Sequence, residues 1–166
     1  MQNSETEVVK TETVAKNVYA EATDKIVRHH VYASMGVSLL PFPLLDFAAL
    51  TGIQLNMLRK IAKLYGVPFF KGKVRNTLLS LFGGAFPTIH AAPLAASMTK
   101  LVPAVGQTAG VTAMPILAGA TTYAIGRLVV HHLAWGGTLE TLDPEKVKSD
   151  YAEMFEEGKA VAANMT

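Results

Sequence analysis

The chain reads as all-α: about five helices, paired in hairpins around an apolar Ala/Gly-rich core and embedded in or associated with a membrane. Three observations carry this. Apolar residues recur at helical spacing through the long segments, and no strand-like alternation of useful length occurs. Charge is also sparse: 17% of the residues are Asp, Glu, Lys or Arg, against about 25% in an ordinary globular domain. Half of the chain is hydrophobic and aromatics make up 8%, so the apolar content is mostly small and aliphatic, accompanied by 13 Gly. Small residues in quantity suit helices packed closely in a membrane or a very dry core.

Composition also removes several function classes. A net charge of +2 is too small to argue for nucleic acid, and the cations are not interleaved with aromatic residues. With no cysteine, disulfides and thiolate metal sites are excluded. The opening MQNSETEVVKTETVAK is polar and acidic, without the basic-then-apolar order of a secretory signal.

In chain order, residues 1–12 read as a flexible tail and 13–163 as a single helical domain. From about Thr13, Val14, Val18, Ala22 and Ile26 recur on one face among Lys16, Glu21, Asp24 and Lys25, predicting an amphipathic helix that ends near Arg28-His29-His30. Residues 38–66 follow, an apolar lead broken by Pro41 and Pro43. The fifteen uncharged residues before Asp46 and the twelve after it each fall short of the roughly 20 that a spanning helix needs. Two outcomes stay open: a re-entrant hairpin turning at Pro41-Phe42-Pro43, or a helix from Pro43 to Tyr65 buried in protein. Pro43 suits a first helical position in both.

Gly66 and Pro68 stop that helix. Residues 59–75 hold six basic residues (Arg59, Lys60, Lys63, Lys71, Lys73 and Arg75) and no acid. A purely cationic segment beside apolar runs is what a cytoplasmic loop facing anionic headgroups should look like. Residues 76–135 read as an apolar helical hairpin, with 24 uncharged residues over 76–99 and 26 over 101–126. Length alone licenses two membrane helices, although Gly83-Gly84, Pro87, His90, Pro93, Gln107 and Pro115 interrupt them. Gly106, Gly110, Ala113, Ala120 and Ala124 fall near one face, where small residues let two helices approach. Over 143–163, Asp143 caps, Pro144 takes the first position and Glu145 meets the dipole. Val147, Tyr151, Met154 and Phe155 then form one apolar face up to Gly158. Glu153, Glu156 and Glu157 point outward, and the helix either packs on the body or complements the basic segment.

No catalytic constellation emerges, and no cofactor is expected. Asp46 lies on the face of Leu50, Ile53, Met57 and Leu64, and within a membrane such an acid suggests proton relay or ion coordination. The competing reading has Asp46 in the first turn after Pro43, stabilised by free amides and the dipole, and the proline favours it. His29-His30 and His131-His132 are adjacent pairs whose rings diverge by about 100° on a helix, so neither pair chelates a metal alone. Their surroundings, up to Trp135, resemble interfacial anchors. His90 reads as a lone polar residue. Gly83-Gly84 and Gly106 to Gly110 lack the Lys-Ser/Thr of a phosphate loop.

The stretch Pro41-Phe42-Pro43-Leu44-Leu45-Asp46, with Gln54, Asn56, Met57 and the exit Ile61-Ala62-Lys63-Leu64-Tyr65-Gly66, resembles the YcjF-like family of bacterial domains of unknown function. The likeness covers about residues 38–85 and is looser through 101–126. It implies an all-α, inner-membrane module connected to GTPases, and it supplies no catalytic residues. This chain carries no GTPase domain, so such a partner would be a separate polypeptide. The expectation is a non-enzymatic scaffold or accessory module on anionic lipids, with its charged zones cytoplasmic, homo-oligomers left open and no nucleic-acid partner. A soluble or peripheral bundle holding a lipid or apolar ligand is the alternative, and an ion pathway through Asp46 the third.

Overall fold

The structure, a computed structural model, describes residues 2–39, 43–80 and 106–165, with side chains for 17–39, 48–80 and 113–165. These form five helices: α1 Gln2–Val37, α2 Pro43–Tyr65, α3 Lys71–Ser80, α4 Gly106–Ala134 and α5 Lys148–Ala163. There is no strand among the described residues, and the fold is all-α.

α4 is the hub. It packs against α1, α2 and α5, while α2 also meets α1 and α3. Contacts fix the directions. Met35 of α1 lies at Gly119 and Val27 at Gly126, so α1 runs antiparallel to α4. Met57 of α2 also meets Gly126, and Gln54 bonds Thr122, so α2 runs parallel to α4. Gly158 and Ala162 of α5 lie at Ala120 and Gly119, and α5 is antiparallel again. The core between them includes Val27, Val31, Met57, Leu58, Ile61, Ile125, Leu128 and Tyr151, each 2% exposed or less.

Three boundaries differ from the sequence reading. α1 extends back to Gln2, through the expected tail over 1–12, and forward past His30 to Val37. Val31, Ser34 and Met35 are buried, so tertiary packing carries the helix past the polar histidines. The expected basic loop is helical from Lys71 onward, because Val74 and Leu78 give it an apolar face against the body. At the C-terminus, Asp143 Oδ1 does accept the Glu145 amide at 3.1 Å, but this makes a turn over 144–147, and α5 starts at Lys148. α5 then passes through Gly158 to Ala163.

Two helices end on left-handed glycines. At Gly66 (φ 67°), Val67 N–H donates to Ala62 O at 3.0 Å and Gly66 N–H to Lys63 O at 3.3 Å, the paired bonds of a Schellman cap. The same pattern closes α4, where Gly136 has φ 82° and Gly137 N–H reaches His132 O at 3.0 Å. α2 begins at Pro43, the first helical position that both alternatives allowed it, and the turn at Pro41 and Phe42 lies outside the described residues. The first arm of the expected 76–135 hairpin also lies outside them beyond Ser80, as do Gly83-Gly84 and His90.

A candidate basic cleft between α2 and α3

The link from Tyr65 to Lys71 is five residues long, so α3 must turn back beside α2. Between the two helices lies a cleft of about 730 Å³. Ala48, Thr51, Gly52, Leu55, Asn56 and Arg59 contribute from one face of α2, following the i, i+3, i+4 rhythm. Lys71, Arg75 and Leu79, four residues apart, contribute from α3, and Phe69 from the linker.

Charge is unevenly distributed in this cleft. Arg59, Lys71 and Arg75 are exposed and have no ion-pair partner among the described residues, as do Lys60 and Lys63 beside them. Lys73 differs: its Nζ lies 2.6 Å from Glu140 Oε1 and 5.3 Å from the centre of the Phe70 ring. The pair is exposed, so it anchors α3 to the 138–142 loop with little stability gain. Three like charges around one concavity raise its potential and draw anions.

The remaining sequence candidates separate by position. Asp46 is the fourth residue of α2, in its first turn, and its side chain lies outside the described set. Tyr65 stacks obliquely on Tyr19, with ring centres 6.2 Å apart. Gly106 and Gly110 are in α4, their surroundings undescribed; Ala113 is half-buried, and Ala120 and Ala124 are fully buried. Met154 and Val147 pack on the core with Tyr151 and Phe155, and thus α5 packs on the body. Glu140 of the 138–142 loop, rather than an acid of α5, meets the basic segment.

The histidine pairs have separate partners. His30 is 3% exposed. Its Nδ1 lies 2.6 Å from Ile26 O, which can only accept, so the proton sits on Nδ1 and Nε2 accepts from Asn56 Nδ2 at 3.2 Å. Burial first, then the charges of Lys60 and His29, hold this imidazole below its ordinary pKa despite the Ile26 carbonyl. His132 Nε2 lies 3.0 Å from both Thr138 O and Thr141 Oγ1, latching the turn after α4, and His131 accepts from Trp135 Nε1 at 3.1 Å.

Sequence reasoning missed two features. The first is a buried polar relay. Gln54 Nε2 donates to Thr122 Oγ1 (3.4 Å), Thr122 to Ser34 Oγ (2.7 Å), and Ser34 to the His30 carbonyl (2.8 Å), joining α2, α4 and α1. Gln54 Oε1 is buried with no hydrogen-bond partner among the described residues. The second is the identity of the glycines that admit neighbouring helices. Among the described residues these are Gly119, Gly126 and Gly158, of which the first two stand seven apart, a spacing visible in the sequence.

Among the described residues one stretch, Ala113–Ala134, is long and apolar enough to cross a membrane, yet 72% of its apolar window is buried inside the protein. Fold and cleft thus define an all-α bundle with a cationic groove on its side. The chain belongs to the family described as Domain of unknown function (DUF697), which it matches over residues 1–157. It is also 38% identical over 154 residues to a protein of Magnetospirillum gryphiswaldense named Magnetosome membrane protein 22, covering 93% of this chain and 77% of that one. No solved structure matches it.

Proposed function

We propose that the chain is a membrane-associated, non-enzymatic accessory module that docks its α2–α3 face on an anionic membrane and scaffolds a partner there. The observation that carries the reading is the set of exposed cations, Arg59, Lys60, Lys63, Lys71 and Arg75, with no ion-pair partner among the described residues. Phe70, 52% exposed, stands beside them. Cations next to an exposed ring suit the headgroup level of a bilayer. The name of the Magnetospirillum relative supports a membrane setting. α4 is enclosed by its neighbours, which favours docking at the surface over insertion of that helix.

The YcjF-like resemblance supplies the finer part of the proposal: a bacterial inner membrane, charged zones on the cytoplasmic side, and a GTPase on a separate chain as the partner. Crosslinking in cells followed by mass spectrometry tests that part, and recovery of no GTPase removes it without touching membrane docking.

Docking itself is tested by co-sedimentation with phosphatidylglycerol-containing and pure phosphatidylcholine vesicles. Wild type is expected on the anionic vesicles alone and to leave them in high salt. Each cation near the surface contributes about 1 kcal/mol. Reversing Lys71, Lys73 and Arg75 to Glu should therefore weaken binding by at least about 100-fold. Equal binding to neutral vesicles, or an unaffected variant, overturns the proposal.

A further inference from the structure

The cleft has an order along its length. The 66–70 linker joins the end of α2 to the start of α3, so residues near that linker on both helices share one end of the cleft. Arg59, Lys71 and Arg75 occupy this end and its neighbourhood, whereas Ala48, Gly52 and Leu79 line the far end. Along α2, Ala48 to Leu55 spans about 10 Å and Ala48 to Arg59 about 16 Å. A volume of 730 Å³ falls in the range of about 300–1,000 Å³ typical of small-ligand sites. A ligand that fits is therefore anionic at one end and apolar for about 10 Å beyond it.

We propose that this cleft is a binding site for a single acidic phospholipid, its phosphate held by Arg59, Lys71 and Arg75 and the first part of an acyl chain laid toward Ala48 and Leu79. Arg59 and Arg75 supply planar donors suited to phosphate oxygens, and Lys71 a point charge. Asn56, between Gly52 and Arg59 on this face of α2, is placed to meet the ester region. Gly52 lines this groove, and a Cβ there would have no heavy atom within 4 Å, so the space beside it is open. The proposal deepens the membrane-docking reading and rests on it for the choice of lipid, but it makes a separate claim of one saturable site.

The test uses the full chain and monomeric dihexanoyl phosphatidylglycerol, followed by isothermal titration calorimetry. Glycerol phosphate and dihexanoyl phosphatidylcholine serve as the headgroup-only and neutral-lipid probes. The expected result is one-to-one binding of the acidic lipid, at least tenfold tighter than either other probe. Gly52→Leu puts a branched apolar side chain into the groove without changing a charge, starting from a Cβ position with no heavy atom within 4 Å. It should weaken the short-chain lipid at least tenfold while co-sedimentation with anionic vesicles persists. Arg59→Gln with Arg75→Gln should abolish the short-chain binding. Equal affinity for glycerol phosphate, no saturable binding, or an unaffected Gly52→Leu overturns the proposal.

Discussion

Gly158 of α5 rests directly on the backbone of Ala120 in α4: a Cβ on Gly158 would stand 2.8 Å from the Ala120 carbonyl oxygen and 3.0 Å from its Cα. Neither atom can move without shifting a helix. At Gly126 and Gly119 the nearest atoms belong to longer side chains, Val27 Cγ2 at 2.8 Å and Met35 Cγ at 2.9 Å, although Gly119 also has the Ala162 Cβ of α5 at 3.0 Å. These differ in stiffness, because valine is restricted at χ1 and methionine is flexible.

That ordering predicts three alanine substitutions. Gly158→Ala should destabilise by about 2 kcal/mol through overpacking, even after the propensity gain of alanine in a helix. Gly126→Ala and Gly119→Ala should each cost less, because their nearest contacts are with side chains that can shift. Urea unfolding of the three variants checks the order, and equal losses would show that backbone proximity is not what matters at Gly158.

A fourth glycine should respond in the opposite direction. Gly52 lies inside α2 with open space where a Cβ would go. Gly52→Ala should stabilise the protein by about 0.5–1 kcal/mol, seen as a rise in the urea midpoint.

These glycines mark where the sequence was legible and where it was not. The existence of the long helices follows from periodicity, and the stop at Gly66 from the need for φ of 67° there. Which small residues face a neighbour depends on helix register across contacts far apart in sequence. In an Ala/Gly-rich stretch Gly106, Gly110 and Gly119 look alike. The cations of the cleft were readable as a cluster over 59–75, but the groove between them was not, because it needs α3 to be a helix. That helix depends on the burial of Val74 and Leu78, which only the assembled fold supplies.

The relay through Thr122 predicts an asymmetry. Gln54→Met removes a buried amide whose Oε1 has no partner among the described residues, so stability should hold or rise by up to about 1 kcal/mol. Thr122→Val keeps the shape but strands Gln54 Nε2 and one acceptor site of Ser34, and should cost about 1–2 kcal/mol. If Gln54→Met is the more damaging, the amide has a partner in solution.

His30 predicts a pH dependence. Its pKa is held down in the fold, so the unfolded chain takes the proton more readily. Stability from this group is full above about pH 6.5, the ordinary imidazole value, and is lost as pH falls from there toward the folded value. Unfolding free energies at neutral and mildly acidic pH should therefore converge more in His30→Gln than in wild type. An unchanged difference would assign the acid sensitivity to other groups. Tyr123 titrates at the other extreme: burial and its 2.7 Å bond to Glu157 push it up to about 12, so it keeps its proton throughout this range.

α4 serves several partners at once, with Gly119, Thr122 and Gly126 toward α1 and α2, and Ala120 and Tyr123 toward α5. One residue inserted between Gly119 and Gly126 would rotate everything beyond it by about 100°. Each of those contacts past the insertion would then face the wrong neighbour. The central helix can therefore absorb substitutions singly, but its length between these contacts is fixed, and viable insertions belong in the segments that connect it to the other helices.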